Sequence, residues 1–416
     1  MTATTTHLAQ PYELPCGVTL ANRLAKPALS ENLARADHNP SDGLIRLYRR
    51  WAASGAALLI SGNIMIDRSA LGEARNVVID DSADHARLAA WAGAATAGDA
   101  QFWAQLNHPG RQVPRLLGWN AVAPSAVPVA GQRAVFATPR ALTETEIADI
   151  VARFASAARA ALDAGFTGIE IHAAHGYLIS QFLSPLTNLR TDSWGGSPGN
   201  RRRFLLEVVR AVRAEIGAGV PLAVKLNSAD FQRGGFAEDE SLAVVAALTA
   251  AGIDLLEISG GTYESAAMMG VGGPPKQAST RAREAYFLDY AERVRASTTL
   301  PLMLTGGFRT ASGMSGAIAT GAVDIVGIGR PVVVEPELPG HLLDGTATVS
   351  TVRPRRLGVD SLDGMTELAW YGQQLARIAA GKQPDPRQHP LATLARYLFA
   401  TGLDTVRGPL RWTVRR

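Results

Sequence analysis

Short apolar runs alternate with amphipathic segments along most of this 416-residue chain. Runs that are apolar on both faces are typical of parallel strands covered by helices, whereas a 3.6-residue period indicates a helix. The predicted strands cover residues 24–30, 57–63, 101–107, 168–174, 222–228, 254–260, 301–307 and 324–330. The main predicted helices cover residues 44–54, 144–164, 201–216, 238–251, 283–297 and 311–320. Eight strand–helix units predict an α/β protein of the closed (β/α)8 TIM-barrel class, in which no strand is left at an edge.

Local signals support these boundaries. Thr143 and Glu146 have the spacing of a capping box before an apolar-periodic run. Gly165 and Gly252 follow two helical patterns directly, which is typical of helix ends that need a left-handed residue.

Three segments lie outside the predicted strand–helix units. Residues 8–23 are expected to form an N-terminal hairpin that closes the bottom of the barrel, and residues 108–142 form a long Pro-rich loop after strand 3. Beyond the eighth strand, one helix is predicted near residues 370–380. We therefore expect a barrel domain at residues 1–340 and a helical or irregular C-terminal extension at residues 341–416.

Composition excludes several classes of function. No run of 18 apolar residues occurs, and the N-terminus lacks a signal-peptide pattern, so a cytoplasmic protein without membrane contact is expected. Cys16 is the only cysteine and precedes the first strand in a turn, which makes a disulfide within the chain impossible. The net charge is +4, but the basic residues are scattered among acidic ones, so no nucleic-acid partner is expected. A homo-oligomer is compatible with the sequence.

In a (β/α)8 barrel the catalytic and ligand-binding residues lie at the carboxyl ends of the strands. The fourth strand ends in His172, His175 and Tyr177, with Gly176 as a hinge. Two imidazole N–H donors and a phenol suit a reaction that makes an enolate and then protonates it. The alternative interpretation is that both histidines are structural, with their hydrogen bonds satisfied inside the protein.

A phosphate site is predicted on the last two strands. Gly306 and Gly307 end the seventh strand, and Gly329 and Arg330 end the eighth. Their backbone N–H groups and the guanidinium would bind a phosphate where barrels usually bind one.

Three further strand ends carry polar side chains. Lys225 ends a buried strand and needs a partner, which would be either a ligand ring edge or a carboxylate such as Glu170 or Glu257. A Schiff-base role for this lysine is a weaker alternative. The Gln105 amide can donate and accept at once, and Ser30 offers a hydroxyl. With the phosphate turns, these groups outline a bound flavin mononucleotide, FMN.

These segments resemble the Old Yellow Enzyme family of FMN-dependent ene-reductases, in its bacterial branch with a His-x-x-His motif. The resemblance spans roughly residues 10–340. It is carried by residues 22–30 (NRLAKPALS), residues 105–111 (QLNHPGR) and, above all, residues 171–196, which contain HAAHGYLISQFLSP and NLRTDSWGG.

The resemblance implies the site residues. His172 and His175 would bind the substrate carbonyl oxygen, and Tyr177 would donate the proton. The implied FMN contacts are Pro27, Ala28, Leu29, Ser30, Gly62, Gln105, His172, Lys225, Gly306, Gly307, Gly329 and Arg330. Ser30 stands where relatives have Thr or Cys, Lys225 where many have Arg, and Asn32 where some have a substrate-facing Tyr.

The resemblance implies that NADH or NADPH reduces FMN, which then reduces the C=C bond of an α,β-unsaturated carbonyl compound such as an enone or enal. No dinucleotide-binding fingerprint is present, which fits a nicotinamide that visits the same flavin face in turn. Another flavin-dependent dehydrogenase, similar to an amine demethylase, is an alternative. A metal-dependent barrel hydrolase with His172 and His175 as ligands is a remote one, and no metal is expected.

Overall fold

Eight parallel strands form a closed barrel in the computed structural model, which describes residues 7–118, 120–260, 287–353, 357–358 and 360–407. The strands are β1 Leu24–Lys26, β2 Leu58–Ile60, β3 Gln101–Asn107, β4 Gly168–Ala173, β5 Leu222–Asn227, β6 Leu255–Ser259, β7 Leu302–Thr305 and β8 Ile325–Gly327. Each strand pairs with its neighbour in the chain, and β8 pairs with β1. The predicted TIM barrel is therefore confirmed.

The helices follow the strands and cover the outside of the barrel. They are α1 Asp42–Ala52, α2 His85–Ala95, α3 Glu144–Asp163, α4 Leu178–Leu183, α5 Pro198–Arg201, α6 Arg203–Ile216, α7 Glu238–Ala250, α8 Leu288–Arg295, α9 Ala311–Ala319, α10 Arg330–Val334, α11 Leu338–Asp344, α12 Asp360–Ala379 and α13 Pro390–Arg407. The first residues of the helix predicted at 283–297 lie outside the described residues. Among the described residues, no helix is both long and apolar enough to cross a membrane.

The predicted helix-end signals are confirmed. The backbone N–H of Glu146 donates to Thr143 Oγ1 at 3.2 Å, and the backbone N–H of Thr143 donates to Glu146 Oε2 at 2.8 Å. Gly165 has a φ of 97° and Gly252 a φ of 73°. Glycine adopts such positive φ angles without the steric cost of a Cβ atom, so both positions end their helices cleanly.

The N-terminal hairpin closes the barrel bottom, as predicted. Its strands, Tyr12–Glu13 and Thr19–Leu20, pair in antiparallel fashion. Leu14 and Leu20 are buried against barrel residues that include Leu58 and Trp103. Burial of the apolar interior from below leaves the opposite end of the barrel as the open end.

The C-terminal extension packs on the first helix of the barrel. The Arg46 guanidinium on α1 donates to the carbonyl oxygen of Ala379 at the end of α12. The Arg330 guanidinium forms an ion pair with Glu367, also on α12. A domain boundary at residue 340 would fall within α11 and stays a prediction.

Candidate active site

The end of β4 brings the predicted imidazoles and phenol together. His175 and Gly176 have φ angles of 60° and 75°, so the chain turns sharply after the strand. The ring centroids of His172 and His175 are 5.0 Å apart, and those of His172 and Tyr177 are 4.9 Å apart. A left-handed φ is uncommon outside glycine and is often found at functional sites. The strained turn thus brings the three rings close together at the end of β4.

Neighbouring strands hold this turn in place. His175 Nε2 lies 2.8 Å from the Ser259 hydroxyl, and the His175 backbone N–H donates to Asn227 Oδ1 at 3.2 Å. Asn227 and Ser259 were missed in the sequence analysis. They lie two residues beyond Lys225 and Glu257, so the period of two along a strand places them on the same face of the barrel.

Both imidazoles are neutral near pH 7. Burial, with a smaller contribution from Lys225, lowers the pKa of His175 to about 3. Burial likewise holds the pKa of His172 well below its usual range. The backbone N–H of Ala174 donates to His172 Nδ1 at 3.2 Å, so the ring proton lies on Nε2. A neutral imidazole of this kind donates one hydrogen bond to an oxygen atom of a ligand.

Tyr177 is buried next to Asn63, which in turn contacts Asn76; neither asparagine was predicted from the sequence. Asn63 Nδ2 is 3.5 Å from the Tyr177 hydroxyl, at the outer limit of a hydrogen bond. Asn76 Nδ2 donates to Asn63 Oδ1 at 3.2 Å. These amides limit the positions that the phenol can take.

The two polar side chains predicted at the flavin edge have carboxylate partners. Lys225 Nζ donates to Glu257 Oε1 at 2.8 Å, and Gln105 Nε2 donates to Glu170 Oε1 at 2.7 Å. One of the two partners considered for Lys225, the carboxylate of Glu257, is therefore present. An ammonium has three N–H donors, so this ion pair still leaves Lys225 able to contact a ligand.

The ends of β1 and β2 form a crowded wall. A Cβ atom at Gly62 would lie 1.9 Å from Glu31 Oε2, so only glycine fits there. Pro27 is buried, whereas Ala28, Leu29 and Ser30 are half-buried, as expected for residues at the mouth of a barrel. The Asn32 side chain accepts a hydrogen bond from the Arg75 backbone N–H at 2.7 Å, and its role in substrate binding stays a prediction.

The glycine turns at β7 and β8 lie at the same end of the barrel. Gly306 and Gly307 have φ angles of 123° and 91°, which only glycine adopts readily. Gly329 precedes α10, and Arg330 begins that helix. Backbone N–H groups, a guanidinium, and the Lys225 and Gln105 side chains form a donor set that fits the phosphate and ring edge of FMN. Among the described residues, no group of three His, Cys, Asp or Glu side chains is arranged to hold a metal ion.

Sequence comparison relates the chain to flavin oxidoreductases. A sequence model of the NADH:flavin oxidoreductase / NADH oxidase family matches residues 7–348. The NADH-dependent flavin oxidoreductase iccE of Talaromyces variabilis is 37% identical, with 90% of this chain aligned to 98% of that protein. The NADH-dependent flavin oxidoreductase iliE of Neonectria sp. is 36% identical over 89% of this chain, which spans about half (51%) of that longer protein.

A solved structure shows the same barrel. The Old Yellow Enzyme homologue from Zymomonas mobilis superimposes with a TM-score of 0.69 at 28% identity, covering 83% of this chain and 94% of that one. The family uses FMN with NADH or NADPH as hydride donor. The chain therefore belongs to the NADH:flavin oxidoreductase / NADH oxidase family and is an oxidoreductase of the Old Yellow Enzyme type.

Proposed function

We propose that this protein is an FMN-dependent NAD(P)H oxidoreductase that reduces the C=C bond of α,β-unsaturated carbonyl compounds. The observation that carries the proposal is the pair of neutral imidazoles, His172 and His175, next to the buried Tyr177 hydroxyl. Neutral N–H donors bind a carbonyl oxygen and stabilise the negative charge that develops there. In this proposal the Tyr177 phenol then protonates carbon.

The glycine turns, Arg330, Gln105 and Lys225 would hold the cofactor, and His172 would also contact it. Bound there, FMN supplies two-electron chemistry, in which hydride is taken from a nicotinamide and passed to the β-carbon of the substrate. Several relatives are named NADH-dependent, which favours NADH as the donor.

The protein side chains divide the remaining work. His172 and His175 orient the carbonyl and lower the energy of the enolate, whereas Tyr177 delivers a proton to the α-carbon. Their burial excludes water and strengthens each of these electrostatic interactions. The partner is accordingly a small enone or enal. Membership of the His-x-x-His branch, the cytoplasmic location and the assembly state stay predictions.

Absorption spectroscopy of the purified, FMN-reconstituted chain tests the cofactor. We expect a yellow protein that releases about one FMN per chain on denaturation. A protein that stays colourless after reconstitution would exclude the proposed function.

The variant Tyr177→Phe tests the mechanism by separating two half-reactions. Flavin reduction by NAD(P)H needs no phenol and should stay near normal. Reoxidation by an enone should slow by at least about 100-fold, the lower range for general acid catalysis. Reoxidation by a quinone, which needs no protonation of carbon, should persist. Stopped-flow traces of flavin colour report all three rates.

The matched control is Tyr290→Phe. The Tyr290 hydroxyl is also buried, but it donates to Ser241 Oγ at 2.6 Å, between α8 and α7 outside the barrel. This variant should leave all three rates unchanged. If Tyr177→Phe slows flavin reduction and reoxidation equally, or slows neither, Tyr177 is not the proton donor.

A further inference from the structure

Two carboxyl groups and one ammonium group share the barrel interior next to the histidine pair. Glu170 precedes His172 by two residues on β4, so both side chains point inward. Glu257 pairs in register with Lys225, and Glu170 pairs with Gln105. Glu170 and Glu257 are fully buried, at 0% exposure, and Lys225 is 3% exposed. If both carboxyls were ionised, this water-excluded group would carry one uncompensated negative charge, which is costly.

The hydrogen bonds show how the extra charge can be removed. The Oε1 atom of each carboxyl accepts one hydrogen bond, from Lys225 for Glu257 and from Gln105 for Glu170. The Oε2 atom of each is buried and has no hydrogen-bond partner among the described residues. The two carboxyl groups are close enough to bond each other directly once one of them carries a proton. One added proton therefore satisfies both oxygens and also balances the charge.

We propose that Glu170 and Glu257 share a single proton, and that this singly protonated pair, whose one negative charge balances Lys225, positions Lys225 and Gln105 for ligand binding. Glu170 and Glu257 are positioning residues, since each acts through the side chain that it bonds. The proton sharing is independent of the proposed function, whereas the effect on FMN rests on it.

The electrostatics place the proton on Glu170. Burial, reinforced by the charge of Glu257, raises the pKa of Glu170 well above its usual range. Burial would also raise the pKa of Glu257, but the Lys225 charge and the hydrogen bonds from Glu170, Lys225 and Thr305 together hold it below its usual value. Lys26 on β1 also acts here, but its charge is balanced by its own partner, Glu31, while β3 contributes the neutral Gln105. One ammonium, one carboxylate and one carboxylic acid sum to zero charge.

A shared proton makes an unusual prediction for single variants. If either glutamate is replaced by glutamine, one carboxyl remains for one ammonium, and it should ionise to pair with Lys225. Glu170→Gln and Glu257→Gln should therefore both lose the same proton. A carboxylic acid kept neutral by burial alone would behave differently, because Glu257→Gln would leave Glu170 protonated.

Infrared spectroscopy of the purified full-length protein at pH 7 distinguishes these cases. We expect the wild type to show the C=O stretch of a protonated carboxylic acid that is missing in both single variants. Persistence of this band in either variant would overturn the shared proton. Glu215 is exposed on α6, so Glu215→Gln is the matched control and should keep the carboxylic-acid band. Glu73→Gln identifies the separate band of Glu73, whose pKa burial raises to about 7.

The wild type alone provides a second measurement if a variant fails to fold. At pH 8.5 Glu73 is mostly ionised, and we expect about one protonated carboxyl per chain to remain. Complete loss of protonated carboxyl absorption at that pH would also overturn the proposal.

The reduction potential of bound FMN tests the positioning role. Each single variant keeps Lys225 paired, so its potential should stay near that of the wild type. The double variant Glu170→Gln/Glu257→Gln leaves Lys225 unpaired, and its potential should shift upward because an uncompensated cation favours the reduced flavin anion. An unchanged potential in the double variant would overturn the positioning role. If no FMN binds, the infrared result still decides whether the proton is shared.

Discussion

Two lysines that are buried in the described part of the barrel differ in how many hydrogen-bond partners they have. Lys26, at the end of β1, is 1% exposed and donates to Glu31 Oε1, the Tyr48 hydroxyl and the Ile60 carbonyl oxygen at 3.3, 2.7 and 2.6 Å. All three of its N–H donors are used. Lys225 is buried to a similar extent, yet one acceptor, Glu257, is identified for it among the described residues.

This difference indicates that the Lys26 cluster is structural, whereas the Lys225 cluster binds a ligand. The closed cluster of Lys26, Glu31 and Tyr48 has no donor to spare, and the Tyr48 hydroxyl accepts a hydrogen bond from the Gly62 backbone N–H at 3.1 Å. That cluster therefore fixes the wall of the site. In the open cluster of His172, His175 and Lys225, a ligand can accept hydrogen bonds from the His172 imidazole and from the Lys225 ammonium. Counting donors against acceptors thus indicates which buried cation serves function.

Lys26→Met should have the largest effect. Removal of one partner from a buried ion pair leaves Glu31 without its counter-charge, so we expect the free energy of unfolding to fall by about 3–5 kcal/mol. Chemical denaturation of Lys26→Met and of the exposed-site control Lys382→Met measures the difference. A loss below about 1 kcal/mol would show that the closed cluster is not structural.

The histidine pair should control binding instead of stability. Replacing both His172 and His175 with Ala should weaken phenol binding by about 2–4 kcal/mol, because a phenolate loses two hydrogen bonds with charge-assisted character. FMN should be retained. Titration of the flavin spectrum with phenols measures the effect, and His85→Ala, at the exposed start of α2, is the control. Unchanged phenol affinity would show that both histidines are structural and do not bind the ligand.

Lys225→Met should affect FMN more than the fold. Loss of a charged hydrogen-bond donor should weaken FMN binding by about 1.5–3 kcal/mol. Unfolding should change less than in Lys26→Met, because Lys225 has one hydrogen-bond partner among the described residues and Lys26 has three. Quenching of FMN fluorescence by the apoprotein reports affinity. Wild-type affinity in this variant would place Lys225 in the same structural class as Lys26.

The two clusters should respond to opposite ends of the pH range. The pKa of His175 falls to about 3 in the folded state, so the unfolded chain binds more protons below about pH 6.5. Stability should therefore fall as the pH decreases from 6.5 towards 3, by up to about 1.4 kcal/mol per pH unit for this group.

Lys26 contributes to the pH dependence of stability in alkaline solution. Burial lowers its pKa to about 8, so the unfolded chain binds more protons between about pH 8 and 10.4. Its contribution makes stability rise with pH in that window. Denaturation curves of the wild type and Lys26→Met across both windows test this, and an identical slope for the two proteins above pH 8 would contradict it.

Most of the barrel could be predicted because each strand is a compact apolar run. The errors have local causes. Strand 1 was predicted to reach Ser30 but ends at Lys26, since Pro27 has no N–H to donate to a strand ladder. Helix α2 was not predicted because its many alanines are apolar on both faces and leave no amphipathic stripe. Helix α12 begins ten residues before the predicted one, at Asp360.

The site was predictable only as far as it is local in the sequence. His172, His175 and Tyr177 lie within six residues, so a single strand end reveals them. Asn227 and Ser259 come from other strands and Asn63 from the segment after the second strand, so their contacts depend on how the strands are aligned. Register also decides that Glu257, and not Glu170, bonds Lys225. A hydrophobicity pattern contains no information on either choice.

The contacts of α1 with α10 and with the segment after α12 join parts of the chain that are synthesised far apart in time. Trp51 Nε1 donates to the Val332 carbonyl oxygen at 3.0 Å, and the Arg50 guanidinium donates to Gln383 at 2.6 Å, across 281 and 333 residues of chain. At about 5–20 residues per second, one side of α1 waits roughly 15–70 s for these partners to be synthesised. Until then α1, an 11-residue segment that is only marginally stable as an isolated helix, lacks these contacts, so its packing is completed only when the last part of the chain has been made.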